Sequence, residues 1–272
     1  MARRVTTTRA SRASSAGAAL IAAALAALAP AGAQTPPAAP VSKTCETGAT
    51  ATAETTPLPN VAAALAQRKA LRILAMGAAP GRVSARAGGY TALIESMLAS
   101  TLKGIDVTII NRGVSGELAA NAATRMKNEV ALEEPNLVLW QVGTNDALAY
   151  VSAAEFAATI KDQIDWLKAH KVDVVLVGLQ FASEMLRDAH YVKIRETLRA
   201  VAAKEGVIVI RFYEAMQILN QTAASGNEPV EVGLERDEAG YNCLAQYVAR
   251  AITLGVFAKT MPQRPTQQPP RP

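Results

Sequence analysis

Histidine is nearly absent from this 272-residue chain, which contains only His170 and His190. Neither stands at the spacing from a cysteine or a carboxylate pair that zinc sites use, so nothing in the sequence indicates a metal centre. The glycine-containing stretch 77–81 matches neither G-x-x-x-x-G-K-[ST] nor G-x-G-x-x-G, the two common phosphate-binding loops. We therefore expect no metal and no nucleotide cofactor.

Apolar runs long enough to span a membrane are also missing. Residues 18–29 form an Ala-rich run of roughly a dozen residues, whereas a spanning helix needs about 20. The run follows four arginines and precedes Ala31-Gly32-Ala33, which is the order of regions in a secretory signal peptide. We predict that residues 1–33 are removed on export to the periplasm or the medium; a membrane anchor is the alternative.

Charge of one sign does not dominate the mature chain. The full sequence has 28 basic and 23 acidic residues, and removal of the four signal-peptide arginines leaves 24 against 23. No basic stripe remains that would indicate a nucleic-acid partner.

Regular structure is predicted only between residues 60 and 258. Residues 34–59 are rich in Ala, Thr and Pro without an apolar period, which predicts a flexible lead-in. Residues 259–272 include five prolines and are predicted to be a disordered tail.

Strands and helices alternate within the predicted domain, which indicates βαβ units and a parallel sheet. The predicted strands are 71–76, 107–110, 137–142, 172–179 and 207–211. The predicted helices are 61–69, 90–102, 118–132, 153–170, 188–204 and 237–254, with a further segment at 212–223. The run L-V-L-W-Q-V at 137–142 does not alternate, so we expect it to be a central strand buried on both faces.

Polar residues follow that central strand directly, as Gly143-Thr144-Asn145-Asp146. Open α/β sheets place their ligand sites at the carboxyl ends of strands. An amide such as Asn145 can donate two N–H groups to a developing negative charge there.

Q-V-G-T-N-D at 141–146 resembles the third sequence block of the SGNH/GDSL hydrolases, in which the Asn is an oxyanion-hole donor. The stretch 111–116, N-R-G-V-S-G, resembles the second block, in which we assign the first glycine, Gly113, as a backbone donor. The resemblance covers roughly residues 71–256. It implies a flavodoxin-like three-layer α/β/α sandwich around a five-stranded parallel sheet of order 2-1-3-4-5.

The two blocks that carry the family's catalytic triad are degenerate. The nucleophile position falls on Ala79, and the positions of the acid and the base fall on Val232 and Glu235. Ser84, nearby in the same loop, reads as a turn residue rather than a replacement nucleophile. Glu235 could act as a carboxylate base on water, while His170 and His190 lie outside the matching block and read as helix-end residues.

The resemblance thus implies an exported SGNH-like protein that binds an acyl, acetyl or carbohydrate ester-like ligand without a triad. An active ester hydrolase that uses non-standard residues is the alternative. Secreted proteins of this type often carry a cysteine ahead of the first strand and another in a Y-x-C-L-A segment. A disulfide between Cys45 and Cys243 is therefore expected, with two free thiols as the alternative.

Overall fold

The computed structural model describes residues 38–43, 45–46, 56–77, 89–181, 185, 187–225 and 234–258, with the backbone alone at 219–225 and 234–239. All of them belong to one compact unit, Pro36–Pro272. The predicted signal peptide and tail, together with Ala79, Ser84 and Val232, lie outside the described residues.

Five strands and eight helices make up the described core. The strands are β1 (Ala70–Gly77), β2 (Asp106–Asn111), β3 (Leu137–Gln141), β4 (Asp173–Val177) and β5 (Ile208–Ile210). The helices are α1 (Pro59–Arg68), α2 (Gly89–Thr101), α3 (Ala119–Glu133), α4 (Thr144–Leu148), α5 (Ala153–Ala169), α6 (Ala189–Glu205), α7 (Phe212–Ser225) and α8 (Leu234–Phe257).

The strands form one parallel sheet in the order β2-β1-β3-β4-β5. This order confirms the predicted topology. All five residues of β3 are buried, because the strand lies between β1 and β4 and helices cover both of its faces. The prediction of a central strand is confirmed.

Helices cover the two faces of the sheet as separate layers. On the first face, Ile73 and Leu139 pack with residues of α1, α2, α7 and α8. On the second face, Leu74 and Trp140 pack with residues of α3, α5 and α6. Alternate residues of each strand therefore point into different cores, and the three-layer sandwich is confirmed.

The described parts of segment 34–59 differ from the predicted flexible lead-in, because they pack against α8. Ala39 is fully buried, and its N–H donates to Thr253 Oγ1 over 3.1 Å. The Leu58 N–H donates to the Gly255 carbonyl over 3.0 Å. We call residues 38–43, 45–46 and 56–58 the strap; backbone hydrogen bonds and a few separated buried residues such as Ala39 and Leu58 hold it, and these do not produce an apolar period in the sequence.

A disulfide joins the strap to α8. Cys45 and Cys243 are bonded, with their Cα atoms 5.3 Å apart, and both residues are buried. The Tyr247 hydroxyl donates to the Cys45 carbonyl over 2.7 Å beside the bond. The expected pairing is confirmed. Among the residues described, no helix is both long enough and apolar enough to cross a membrane.

Candidate functional site

Three neighbouring strands end at the candidate site: β1 at Gly77, β2 at Asn111 and β3 at Gln141. The loop after β2 folds over the end of β1, because the Val114 N–H donates to the Gly77 carbonyl over 2.8 Å. Gly77 has a φ of 93°, and a Cβ there would overlap the Gln141 carbonyl. Only glycine allows β1 to leave the sheet along this path.

The loop of the second block is closed by its own asparagine. Asn111 Oδ1 accepts the Gly113 N–H over 2.9 Å, which forms a local side-chain turn. The N–H that we predicted as an oxyanion donor therefore already has an acceptor. Gly116, three residues later, is exposed with a φ of 78°, and its N–H has no hydrogen-bond partner among the described residues.

Asn145 lies where the topology predicts, at the carboxyl end of β3 and on the short helix α4. Its side chain is half-buried, and Nδ2 donates to the Glu117 carbonyl over 3.0 Å. An amide NH₂ has two donors, so this bond orients the group and leaves the second N–H for another acceptor. Glu117 directly follows Gly116, so the Asn145 amide is bonded to the residue next to the second glycine of the loop.

Arg125 of α3 holds this loop in place. Its guanidinium binds both carboxylate oxygens of Glu117, over 2.8 and 3.0 Å, and Nη2 also donates to the Arg112 carbonyl over 2.8 Å. A bidentate contact of this kind fixes the orientation of the Glu117 carboxylate as well as its distance from Arg125. Arg125 thereby positions the residue whose carbonyl orients Asn145.

Asp146 ties the third block to the start of α3, which follows the second block. It is 2% exposed, and Oδ1 accepts the N–H of Ala119, the first residue of α3, over 2.9 Å. Oδ2 is buried without a hydrogen-bond partner among the described residues. Burial raises the pKa of this carboxyl, and the Ala119 N–H opposes part of that effect.

The loop after β4 is bonded to α4. The Gln180 N–H donates to Thr144 Oγ1 over 3.0 Å, and the Tyr191 hydroxyl donates to the Gln180 carbonyl over 2.7 Å. Burial raises the pKa of Tyr191 to about 12, so the hydroxyl keeps its proton at neutral pH. The G-T-N-D turn is therefore hydrogen-bonded to the loop after β4 through Thr144, and to Glu117 and Ala119 through Asn145 and Asp146.

Gln141 adds a buried polar group at the end of β3. The residue is 2% exposed, and its side-chain oxygen and nitrogen have no hydrogen-bond partner within the described part of the chain. It follows Leu139 by two positions, so its side chain points to the same face of the sheet as α2 and α8. The carboxyl end of the central strand is therefore polar on this face.

Only part of the predicted site can be placed. Gly113 and Asn145 follow the carboxyl ends of β2 and β3, the two strands that flank β1, while Glu235 lies in α8 with its side chain outside the described atoms. His170 is exposed at the end of α5 and stacks on Trp166 at 3.9 Å between ring centroids. Within the described residues, no group of three or more His, Cys, Asp or Glu could hold a metal.

Sequence reasoning missed the residues that support the site, namely Glu117, Arg125 and Asp146. Asp146 was visible as the last residue of G-T-N-D, but its partner on α3 depends on tertiary structure. The ion pair between Glu117 and Arg125 spans eight residues and crosses a loop, so no helical spacing reveals it.

A sequence model of the Non-GDSL lipase-like family matches residues 44–258. Esterase TesA of Pseudomonas aeruginosa is 27% identical over 126 residues, which cover 46% of this chain and 61% of TesA. An arylesterase of Vibrio mimicus is 29% identical over 98 residues, which cover 34% of this chain and 49% of that protein. The chain thus spans about half to three-fifths of the length of these two relatives.

Solved structures share the fold at low sequence identity. LAE5, an α/β hydrolase from the metagenome of Lake Arreo, has a TM-score of 0.54 at 19% identity, covering 68% of this chain and 96% of LAE5. A lipase/acylhydrolase of Enterococcus faecalis has a TM-score of 0.53 at 22% identity, covering 67% and 95%. These similarities support the sheet and its helical layers.

Proposed function

Because the chain belongs to the Non-GDSL lipase-like family, a group of SGNH/GDSL-type esterase relatives, we propose that it is an exported protein that binds an ester-like ligand without serine catalysis. The ligand's carbonyl or acyl oxygen accepts the second N–H of Asn145. An acyl, acetyl or carbohydrate ester has such an oxygen.

The oriented amide of Asn145 carries this proposal. Its Nδ2 is held by the Glu117 carbonyl at 3.0 Å, and the Arg125 guanidinium fixes Glu117 in turn. A donor fixed before the ligand arrives loses little entropy on binding. The match of the sequence blocks by position predicts alanine, Ala79, where the family has its nucleophile, and a methyl group cannot attack a carbonyl.

An active ester hydrolase is the second candidate. Two relatives are named as esterases, and the match of the sequence blocks by position predicts a carboxylate, Glu235, at the position of the base. A carboxylate can activate water when its pKa is raised. The two candidates differ in whether turnover occurs at all.

Chromogenic short-chain esters and a fluorophosphonate probe separate these candidates. Loss of a triad nucleophile lowers turnover by about 10⁶-fold, and loss of the base as well lowers it little further. We expect no fluorophosphonate labelling of the wild-type protein and ester hydrolysis at the level of buffer.

The matched variant is Asn145→Ala. In a working enzyme, removal of an oxyanion donor lowers the rate about 10²-fold, whereas here we expect no change in measured hydrolysis. Robust hydrolysis by the wild type that falls in Glu235→Gln would show a carboxylate mechanism and would replace the binding proposal with the second candidate.

A further inference from the structure

Tyr150 is an exposed aromatic residue with an unusual backbone. Tyr150 is 69% exposed, and its φ is 55°. A bulky residue rarely adopts this left-handed conformation, because its Cβ crowds the backbone. Residues held in this way cluster at ligand sites.

The ring of Tyr150 is fixed from one side only. It stacks on His190, with 5.1 Å between ring centroids and 23° between planes. The hydroxyl donates to Asp188 Oδ2 over 3.3 Å, while Asp188 Oδ1 accepts the Tyr191 N–H over 2.7 Å at the start of α6. Because the residue is largely exposed, the ring face opposite His190 is open to solvent.

Backbone hydrogen bonds join the residues on either side of Tyr150 to the candidate site, and the Tyr150 N–H itself donates to the Ala147 carbonyl over 3.2 Å. The Ala149 N–H donates to the Asn145 carbonyl over 2.8 Å, and the Val151 N–H donates to the Asp146 carbonyl over 3.0 Å. The turn that presents the ring is therefore built on the short helix that carries the Asn145 amide.

We propose that Tyr150 is a stacking platform for a sugar ring of the ligand, and this inference rests on the proposed binding function at Asn145. A pyranose has one face of C–H groups, which packs on an aromatic face, and hydroxyls at its edge, which need water or polar neighbours. An open ring face with the Asp188 carboxylate beside its hydroxyl offers both.

An acyl chain fits this platform less well. Burial of apolar surface stabilises a complex in proportion to the area removed from water, and a chain lying on an exposed ring keeps much of its surface in water. Apolar ligands favour concave sites instead. The exposed position of Tyr150 therefore selects a flat ligand with polar edges.

Saturation-transfer NMR tests this proposal with methyl β-D-glucopyranoside as the probe and sodium octanoate as the acyl comparison. We expect transfer from the exported protein to the axial hydrogens H1, H3 and H5 of the glucoside. Tyr150→Ala keeps the Cβ and removes the ring, and binding should become about tenfold weaker. Tyr150→Phe keeps the ring and should retain the signal.

Phe257→Ala is the matched control, since Phe257 is 41% exposed and lies at the end of α8; its signal should equal that of the wild type. Absence of transfer in the wild type, or equal transfer in Tyr150→Ala, would overturn the proposal. Transfer to octanoate alone that depends on Tyr150 would also overturn it. Ester hydrolysis is a separate measurement, so failure of the proposed function is recognised independently.

Discussion

A single buried carboxylate, Asp146, connects two parts of the site. Its Oδ1 accepts the N–H of Ala119 in the first turn of α3. The residue at the cap position, Leu118, has no side-chain hydrogen bond to the helix. A helix N-terminus has unpaired N–H groups and favours a negative charge. Asp146 therefore caps α3 from a distant part of the sequence.

Two substitutions of Asp146 should separate the contribution of its hydrogen bond to stability from that of its charge. Asp146→Ala removes the cap and should lower the free energy of unfolding by about 1–2 kcal/mol. Asp146→Asn keeps an oxygen for the Ala119 N–H and removes the buried charge, so it should be the more stable of the two variants at neutral pH. Urea unfolding followed by circular dichroism measures both.

The pKa of Asp146 also predicts how the stability of the protein changes with pH. Burial raises the folded-state pKa of Asp146 above its unfolded value, so the folded state holds the proton more tightly. The resulting stability is complete below the unfolded pKa of about 4 and is lost as the pH rises through the folded pKa. The stability of the wild type relative to Asp146→Asn should therefore fall between acid and neutral pH; a rise over that range would contradict the assignment.

Most elements could be predicted from apolar periods alone. The five strands and the six predicted helices are present, and their bounds differ by a few residues. The five-residue helix α4 was not among the predicted helices because Thr144–Leu148 is too short to show a helical period. The strap was predicted to be flexible because it contacts α8 through backbone hydrogen bonds and a few separated buried residues, Ala39, Cys45 and Leu58, which give no apolar period.

The disulfide makes the strap part of the fold, so its loss should destabilise the whole domain. Cys45 and Cys243 are separated by 198 residues, and the chain-entropy model assigns about 5 kcal/mol to a loop of this length. Cys45→Ala should lower the free energy of unfolding by a few kcal/mol, measured in urea without reductant.

Cys243→Ala and the double alanine variant provide the control. Each single variant already removes the bond, so the two singles and the double should lose similar stability, whereas independent side-chain effects would add. Reduced wild type should match them. Exported protein in which both thiols are alkylated without reduction would contradict the pairing.

At the scale of the whole molecule, parallel topology brings the second and third blocks to one edge of the sheet. The turns at Gly113 and Asn145 follow β2 and β3, the two strands that flank β1, so their place at one edge of the sheet could be predicted from the strand order alone. Orientation could not be predicted. Asn111 Oδ1 accepts the Gly113 N–H, and the Glu117 carbonyl accepts one N–H of the Asn145 amide. Both hydrogen bonds depend on loop conformations that no sequence period encodes.

The predicted loss of the triad can be tested by rebuilding it. Ala79→Ser, Val232→Asp and Glu235→His together restore a nucleophile, an acid and a base at the aligned positions. The triple variant should gain fluorophosphonate labelling at position 79, because a serine is activated only when its base is in reach and oriented. Mass spectrometry of the labelled peptide measures this outcome.

Partial variants control the experiment, because triad residues act as a unit. Ala79→Ser alone lacks a base, and Val232→Asp with Glu235→His lacks a nucleophile, so neither should be labelled above background. Asn145→Ala in the triple variant should lower any new ester hydrolysis about 10²-fold, since the oxyanion then loses its oriented donor. A folded triple variant without labelling would show that positions 79, 232 and 235 do not converge, and the alignment of the two degenerate blocks would have to be abandoned even though the sheet order holds.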